Sequence, residues 1–145
     1  MTRAWIMPTL FAACALLGGS SLIRRDVPVG AAVLALFFLF FAWLNSPLAF
    51  PRPLTAAEAQ RRSADDGRPI VYWRPGCTYC MRLRMRLGRR GRRAHWVDIW
   101  RDPAAAAVVR AANDGNETVP TVFVAGRPHV NPDPAWVRDR LTPTA

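Results

Sequence analysis

The sequence predicts an α/β domain preceded by two transmembrane helices. The charge is uneven, because residues 1–50 carry four charged side chains whereas the rest of the chain carries the other twenty-six. Two long uncharged stretches occupy the first part, and a bilayer span needs about 20 apolar residues. After residue 69, short apolar runs alternate with helical patterns. These observations divide the chain into a transmembrane hairpin (1–50), a linker with a short helix (51–68) and an α/β domain (69–145).

The hairpin is predicted from two candidate spans, about residues 5–23 and 27–48. Arg24-Arg25-Asp26 lies between them and leaves room only for a tight turn. Pro28 suits the first turn of the second helix, where Asp26 could act as the cap. An alternative interpretation makes the first stretch a cleaved signal peptide. The second helix would then run inward and still leave the C-terminal domain in the cytoplasm.

The orientation follows from the arginines that flank the spans, because positive charge is enriched on the cytoplasmic side. A hairpin places both termini on one side. Two arginines lie in the turn and five flank the termini: Arg3, Arg52, Arg61, Arg62 and Arg68. We therefore expect a multi-pass protein of the cell membrane with both termini, and the domain, in the cytoplasm.

The remaining elements follow from caps, turns and β-prone runs. Thr55 and Glu58 form a capping-box pattern, which predicts a helix through about Ser63. Residues 81–87 alternate as a strand would, but Met, Leu and Arg favour a helix, so we predict a helix here. The resulting order is β-α-β-α-β-β-α. The predicted strands are Ile70–Trp73, His95–Ile99, Thr121–Val124 and His129–Val130, and the helices follow Gly76, Asp102 and Asp133.

Cys77 and Cys80 form a Cys-x-x-Cys pair where the first helix of the domain begins. A thiolate at a helix N-terminus is stabilised by free N–H groups and by the helix dipole. Arg74 and Arg82 should favour the anion further. We therefore predict that Cys77 is the exposed nucleophile and that Cys80, one turn inside, is the resolving thiol.

Other chemistries remain open for these residues. The Cys pair could form half of a zinc site with His95 and His129, although their spacing matches no zinc-finger pattern, and we predict no metal. The net charge of +10 suits an anionic partner, and the segment from Arg82 to Arg93 contains seven arginines, both ends included. Because a nucleic-acid motif and interleaved aromatic residues are absent, we expect a solvated face or contact with a lipid bilayer, and no nucleic acid.

The domain resembles the glutaredoxin-like proteins, and most closely the mycoredoxins, over about residues 69–142. The similarity rests on five motifs: Trp73-Arg74-Pro75-Gly76-Cys77-Thr78-Tyr79-Cys80, Val97-Asp98-Ile99, Asp102-Pro103-Ala104-Ala105-Ala106, the run Asn113–Val122, and Asn131-Pro132. The resemblance implies a thioredoxin-like fold with a cis Val119–Pro120 bond. It also implies that substrate contacts Thr118, Val119 and Pro120, with Arg74 and Tyr79 nearby.

The function implied is reduction of mixed disulfides between proteins and a low-molecular-weight thiol. Glutaredoxins that use glutathione usually carry Gly-Gly and Asp near the last helix, whereas this chain has Val130-Asn131-Pro132-Asp133, as mycoredoxins do. Mycothiol is therefore the expected co-substrate, disulfide-bearing proteins are the expected partners, and no cofactor is expected. Three alternatives stay open: a dithiol reductase of the thioredoxin type, a non-catalytic redox- or metal-sensing membrane protein, and a disulfide oxidant outside the cell.

Overall fold

The structure, a computed structural model, describes residues 3–46 and 53–141. It forms two compact units, Met1–Ala49 and Phe50–Ala145. In the first unit, helix α1 (Arg3–Ile23) and helix α2 (Pro28–Leu44) pack against each other. Between them lies a tight turn, as predicted, but Asp26 adopts a left-handed conformation and does not cap α2. Val27 occupies the cap position, and no side chain bonds to the N-terminus of that helix.

The hairpin packs through small residues and aromatic rings. Ala15 and Ala31 are buried, and Gly18 lets Leu34 approach so closely that a Cβ at residue 18 would lie 2.6 Å from its Cδ2 atom. The rings of Phe11 and Phe41 lie 5.9 Å apart between centroids. Side chains facing away from this contact are apolar and exposed. The hairpin therefore presents a hydrocarbon surface to its surroundings.

The two helices differ in length. The apolar run of α1, Trp5–Ile23, has 19 residues and is long and apolar enough to cross a membrane. At 1.5 Å per residue it spans about 28 Å. Helix α2 is also apolar but has only 17 residues. The predicted second span continues to residue 48, and its last two residues lie outside the described part of the chain.

The second unit contains a four-stranded sheet in the order β2-β1-β3-β4. Strand β1 (Ile70–Trp73) pairs in parallel with β2 (His95–Asp98) and antiparallel with β3 (Thr121–Val124). Strand β4 (Arg127–Val130) pairs antiparallel with β3. Helix α4 (Thr78–Leu87) begins directly after Cys77 and contains Cys80, and it is followed by α5 (Pro103–Ala112) and α6 (Pro134–Asp139). The predicted thioredoxin-like order β-α-β-α-β-β-α is confirmed.

The stretch predicted as a linker is built into this fold. Leu54 forms a parallel bridge with Val97, and its N–H donates to Trp96 O at 2.9 Å. Helix α3 (Ala56–Asp66) packs against β1 and β2, and Ala59 is fully buried. Thr55 caps α3 by accepting from Glu58 N, as the capping-box pattern predicted. Helix α3 is therefore part of the core of the second unit.

One carboxylate holds the start of two helices. Asp102 is the N-cap of α5, where Oδ1 accepts from Ala104 N at 2.9 Å. Its second oxygen, Oδ2, accepts from Ala56 N at 2.7 Å, at the N-terminus of α3. Both helices present free N–H groups and a positive dipole end to the same negative charge. Asp102 therefore joins α3 and α5 at their N-termini.

Local differences from the sequence prediction are small. Residues 81–87 form helix, as predicted, and Leu83 and Leu87 are buried on one side of it. Strand β4 begins at Arg127, two residues earlier than predicted, and includes Pro128. It pairs on one side with β3 and ends the sheet, and a proline is tolerated on such an edge strand.

Candidate active site

The Cys77 sulfur lies where α4 begins. Cys77 is the N-cap of that helix, and its Sγ accepts a hydrogen bond from Cys80 N at 3.2 Å. The N–H of Tyr79 also points at this sulfur. Gly76, directly before it, has a φ of 75°, a left-handed conformation that suits glycine in the turn leading from β1. The turn thus places Sγ against N–H groups that the helix leaves free.

The surroundings of Cys77 favour its anion. The Cys80 thiol, which donates to the Cys77 sulfur, has the largest influence and lowers the pKa of Cys77. Partial burial raises the pKa of Cys77. The N–H groups of Cys80 and Tyr79 and the charge of Arg74 lower it further. The pKa of Cys77 falls from 9.0 to about 6. At neutral pH the side chain is therefore mostly thiolate.

Cys80 has the opposite character. It is fully buried, whereas Cys77 is half-buried. Its pKa is raised well above the usual range, chiefly because its S–H donates to the Cys77 sulfur, then because of burial and the negative charge on Cys77. The Arg74 N–H lies against it and acts in the other direction. The pair therefore consists of one accessible thiolate and one enclosed thiol.

Arg74 is positioned by a turn that sequence reasoning did not identify. Its guanidinium carbon lies 5.8 Å from the ring centroid of Trp100, a cation–π contact. Trp100 follows β2 in a turn organised by Asp98, whose Oδ1 accepts from Trp100 N at 2.9 Å. Asp98 is buried, and burial raises its pKa although the Trp100 N–H and Arg101 lower it. The available sequence signal was an aspartate at the end of the β-prone run, followed two residues later by a tryptophan.

The loop before β3 brings a carbonyl to the Cys77 sulfur. The Val119–Pro120 bond is cis, as the resemblance implied, and both residues are buried. The Cys77 thiol donates to Val119 O at 3.3 Å. Ionisation removes this bond, so the carbonyl opposes the N–H groups that stabilise the anion. Thr118 is exposed, and its carbonyl accepts from Thr121 Oγ1 at 2.8 Å, which holds the loop to β3.

Tyr79 lies in the first turn of α4, between Cys77 and Cys80. Its side chain is exposed and lines a groove of about 270 Å³ between α4 and the loop before α6. Arg82, which was expected to favour the Cys77 anion, lines the same groove with Asn131 and Asp133. Of the two predicted arginines, Arg74 therefore acts on the sulfur and Arg82 shapes the groove beside it.

The two histidines are engaged elsewhere. His95 Nε2 lies 3.0 Å from Asp66 Oδ2, which ties β2 to the end of α3. The His129 ring contacts Trp136, with centroids 4.3 Å apart. Within residues 3–46 and 53–141, no three or more histidine, cysteine or acidic side chains form a group that could hold a metal.

Comparison with known proteins agrees with this geometry. The Glutaredoxin family model matches residues 70–130. Two proteins of Mycobacterium tuberculosis, from strains CDC 1551 / Oshkosh and ATCC 25618 / H37Rv, are provisionally named as glutaredoxins. Each is 38% identical over 76 residues, which cover 52% of this chain and 90% of the relative. The chain belongs to the glutaredoxin family.

This glutaredoxin is a thiol–disulfide oxidoreductase, as the family implies. No solved structure matches the chain with significance. The family match begins at β1 and therefore leaves out α1, α2 and α3. An apolar hairpin and helix α3 therefore precede the part of the glutaredoxin that matches the family model.

Proposed function

We propose that this glutaredoxin is a membrane-anchored enzyme that reduces mixed disulfides between proteins and a low-molecular-weight thiol, using Cys77 as the nucleophile. The observation that carries the proposal is the half-buried Cys77 sulfur at the start of α4, with a pKa of about 6. A thiolate, and not a thiol, attacks a disulfide. Cys77 therefore has the ionisation state that the reaction requires at neutral pH.

In the first step, the Cys77 thiolate attacks the sulfur of the small thiol in the mixed disulfide. A bond forms between Cys77 and that sulfur, the original disulfide breaks, and the protein thiol leaves as a thiolate that takes a proton from water. In the second step, the thiolate of another small-thiol molecule attacks the small-thiol sulfur that is bound to Cys77. This releases a symmetric small-thiol disulfide and restores the Cys77 thiolate. The small thiol supplies the electrons, and the scheme needs no cofactor.

Cys80 offers a second route, in which it loses its proton and attacks the Cys77 sulfur of a mixed disulfide. The Cys77–Cys80 bond forms, the bond to the bound thiol breaks, and that thiol leaves as a thiolate. Two molecules of the small thiol then reduce the internal disulfide and are released as a symmetric disulfide. The proton of Cys80 becomes easier to remove once the mixed disulfide has formed, because the bound sulfur of Cys77 no longer carries a negative charge. Burial still opposes ionisation. We expect this route with protein substrates whose own disulfide becomes a dithiol, and the single-cysteine route with small-thiol mixed disulfides.

The side chains around Cys77 supply the binding surface in this proposal. We assign the backbone of Val119 to the peptide-like part of the substrate, with Thr118 and Pro120 shaping the loop and Tyr79 bordering the small thiol. The positive charge of Arg74 stabilises negative charge on the Cys77 sulfur. Mycothiol is the proposed small thiol, because the loop before α6 carries Asn131-Pro132-Asp133 where glutathione-using glutaredoxins usually carry glycines.

The hairpin is proposed to anchor the enzyme in the cell membrane, with both termini and the redox domain in the cytoplasm. The support is the apolar length of Trp5–Ile23, the exposed apolar side chains of both helices and the distribution of flanking arginines. Labelling of Cys77 in intact cells by a membrane-impermeant maleimide tests the orientation. Labelling only after permeabilisation supports a cytoplasmic domain, whereas labelling of intact cells contradicts it.

The deciding experiment compares Cys77→Ser with Cys80→Ser in the full-length protein. Turnover is measured on a peptide–mycothiol and a peptide–glutathione mixed disulfide of the same sequence. We expect Cys77→Ser to abolish turnover and Cys80→Ser to retain it, with mycothiol preferred. Equal loss in both variants would favour the dithiol mechanism of the thioredoxin type. Absence of reductase activity in the wild type with either thiol would overturn the proposal.

A further inference from the structure

A basic groove runs along one side of α4 from Tyr79, which lies between the two cysteines in sequence. Tyr79, Arg82, Leu83 and Arg86 recur at the three- and four-residue spacing that places side chains on one helix face. Tyr79, Arg82 and Leu83 line the first part of the groove, of about 270 Å³. Arg82 and Arg86 line the second part, of about 200 Å³. The groove therefore begins at Tyr79, two residues after Cys77.

The charge of this groove is mostly positive. Arg82 and Arg86 on α4 and Arg138 on α6 line it and are exposed. Asp133 also lines it, but its Oδ1 accepts from Ala135 N and Trp136 N at the start of α6. The groove thus holds three guanidinium groups and one carboxylate that is already engaged by a helix N-terminus.

These arginines take no part in the arginine ion pairs found within residues 3–46 and 53–141. Those pairs use Arg62, Arg68 and Arg110 instead. The side chains in the groove are therefore available to an anionic partner. Guanidinium groups bind carboxylates in a planar, two-pronged geometry that suits acidic side chains.

We propose that this groove selects disulfide substrates whose reactive cysteine is flanked by acidic residues. The inference rests on the proposed function and names the substrate class for the same site. From Cys77 to Arg86 the helix rises about 14 Å over nine residues. An extended peptide covers that distance in about four residues. Aspartate or glutamate within roughly two to five positions of the substrate cysteine would therefore reach the groove.

Continuity with Cys77 favours a protein substrate over a lipid surface or a nucleic acid. A non-specific polyanion site would have no reason to start two residues from the reactive cysteine and follow one helix face away from it. Charge complementarity of this kind chiefly raises the rate of association, and the effect weakens as salt rises. The expected signature is a salt-dependent gain in kcat/KM.

The test uses the full-length protein in detergent micelles and two peptides that carry the same cysteine as a mycothiol mixed disulfide. In one peptide three residues within five positions of the cysteine are glutamate, and in the other they are glutamine. We expect kcat/KM to be about tenfold higher for the glutamate peptide at low salt and nearly equal for the two peptides at high salt. The double variant Arg86→Gln, Arg138→Gln should reduce the low-salt preference to about twofold.

Arg61→Gln is the matched control, because Arg61 is an exposed arginine of α3 outside the groove. It should keep the full preference for the glutamate peptide. Equal turnover of both peptides by the wild type, or an unchanged preference in the double variant, overturns the inference and leaves the proposed function intact. Failure to reduce either peptide, together with failure to reduce bis(2-hydroxyethyl) disulfide, overturns the proposed function itself.

Discussion

The ionisation of Cys77 can be tested by removing the thiol that stabilises it. In Cys80→Ala the S–H donor to the Cys77 sulfur is lost, and this bond is the largest influence on its pKa. Hydrogen bonds to charged groups contribute about 1.5–3 kcal/mol, and one pKa unit corresponds to about 1.4 kcal/mol. Since a thiol is a weak donor, we take the lower end and expect the pKa of Cys77 to rise by about one unit.

This change has a measurable consequence at neutral pH. With a pKa of about 6, Cys77 is about 90% thiolate at pH 7, whereas a thiol with the ordinary value of 9.0 would be about 1% thiolate. A rise of one unit would leave about half of the Cys80→Ala protein ionised at pH 7. Cys80→Ser, which retains an O–H donor, should keep a lower pKa than Cys80→Ala.

The assay is the rate of alkylation by iodoacetamide between pH 4 and 10, with mass spectrometry to locate the modified cysteine. Each protein carries Cys14→Ser, because Cys14 is an exposed thiol of α1. The midpoint of the rate profile gives the pKa of Cys77. A wild-type midpoint near 9, or the same midpoint in Cys80→Ala, would refute the argument that the buried thiol holds Cys77 as an anion.

Three further predictions concern the carboxylates of the domain, each measured as the free energy of unfolding of the full-length protein in detergent micelles. Asp102→Ala removes the cap of α5 and the bond to Ala56 N at the start of α3, and should cost about 2 kcal/mol, whereas Asp102→Asn should cost clearly less; equal losses would contradict the shared role of this carboxylate. Asp98 has a raised pKa because of burial, so its stabilising contribution is present below 3.8 and is lost as pH rises through the folded value. Asp98→Asn, which keeps an oxygen for Trp100 N, should therefore be at least as stable as the wild type at pH 7, and a large loss would contradict this. Burial raises the pKa of Asp66, but the Arg68 N–H and His95 outweigh it, so the pKa is lowered; the contribution is present above 3.8 and is lost as pH falls through the lower folded value. Asp66→Asn should cost about 1 kcal/mol at pH 7 and progressively less as pH falls below 3.8, and a cost independent of pH would be evidence against the pair with His95.

Local sequence signals predicted most of the secondary structure because the determinants are themselves local. Ile70–Trp73 and Thr121–Val124 are short β-prone runs bounded by turns, and the structure has strands at those residues. The alternation of residues 81–87 is also compatible with a strand. The helix propensity of Met, Leu and Arg predicted a helix, and the structure has a helix there. Asp102 before Pro103 predicted the start of α5 by the same kind of local rule.

Features that depend on distant residues could not be predicted in this way. The contact between Asp102 and Ala56 joins residues 46 positions apart, and nothing in either neighbourhood signals it. The position of Arg74 depends on Trp100, which only the pairing of β1 with β2 brings near. Asp26 was expected to cap α2, but its positive φ places it in the turn and Val27 at the cap. The cis bond followed from the family resemblance and not from local propensity.

Leu54 and α3 form part of the second unit, so they limit how far the chain can be shortened from its N-terminus. A shortened version that starts at residue 69, close to the boundary of the family match, would lose the backbone bridge to Val97 and uncover the sheet where Ala59 is buried. The Asp102 carboxylate would also lose one of its two partners. A soluble version made for titration or crystallisation should therefore begin at Pro53 or earlier, and its recovery in folded form would show whether the domain is stable without its anchor.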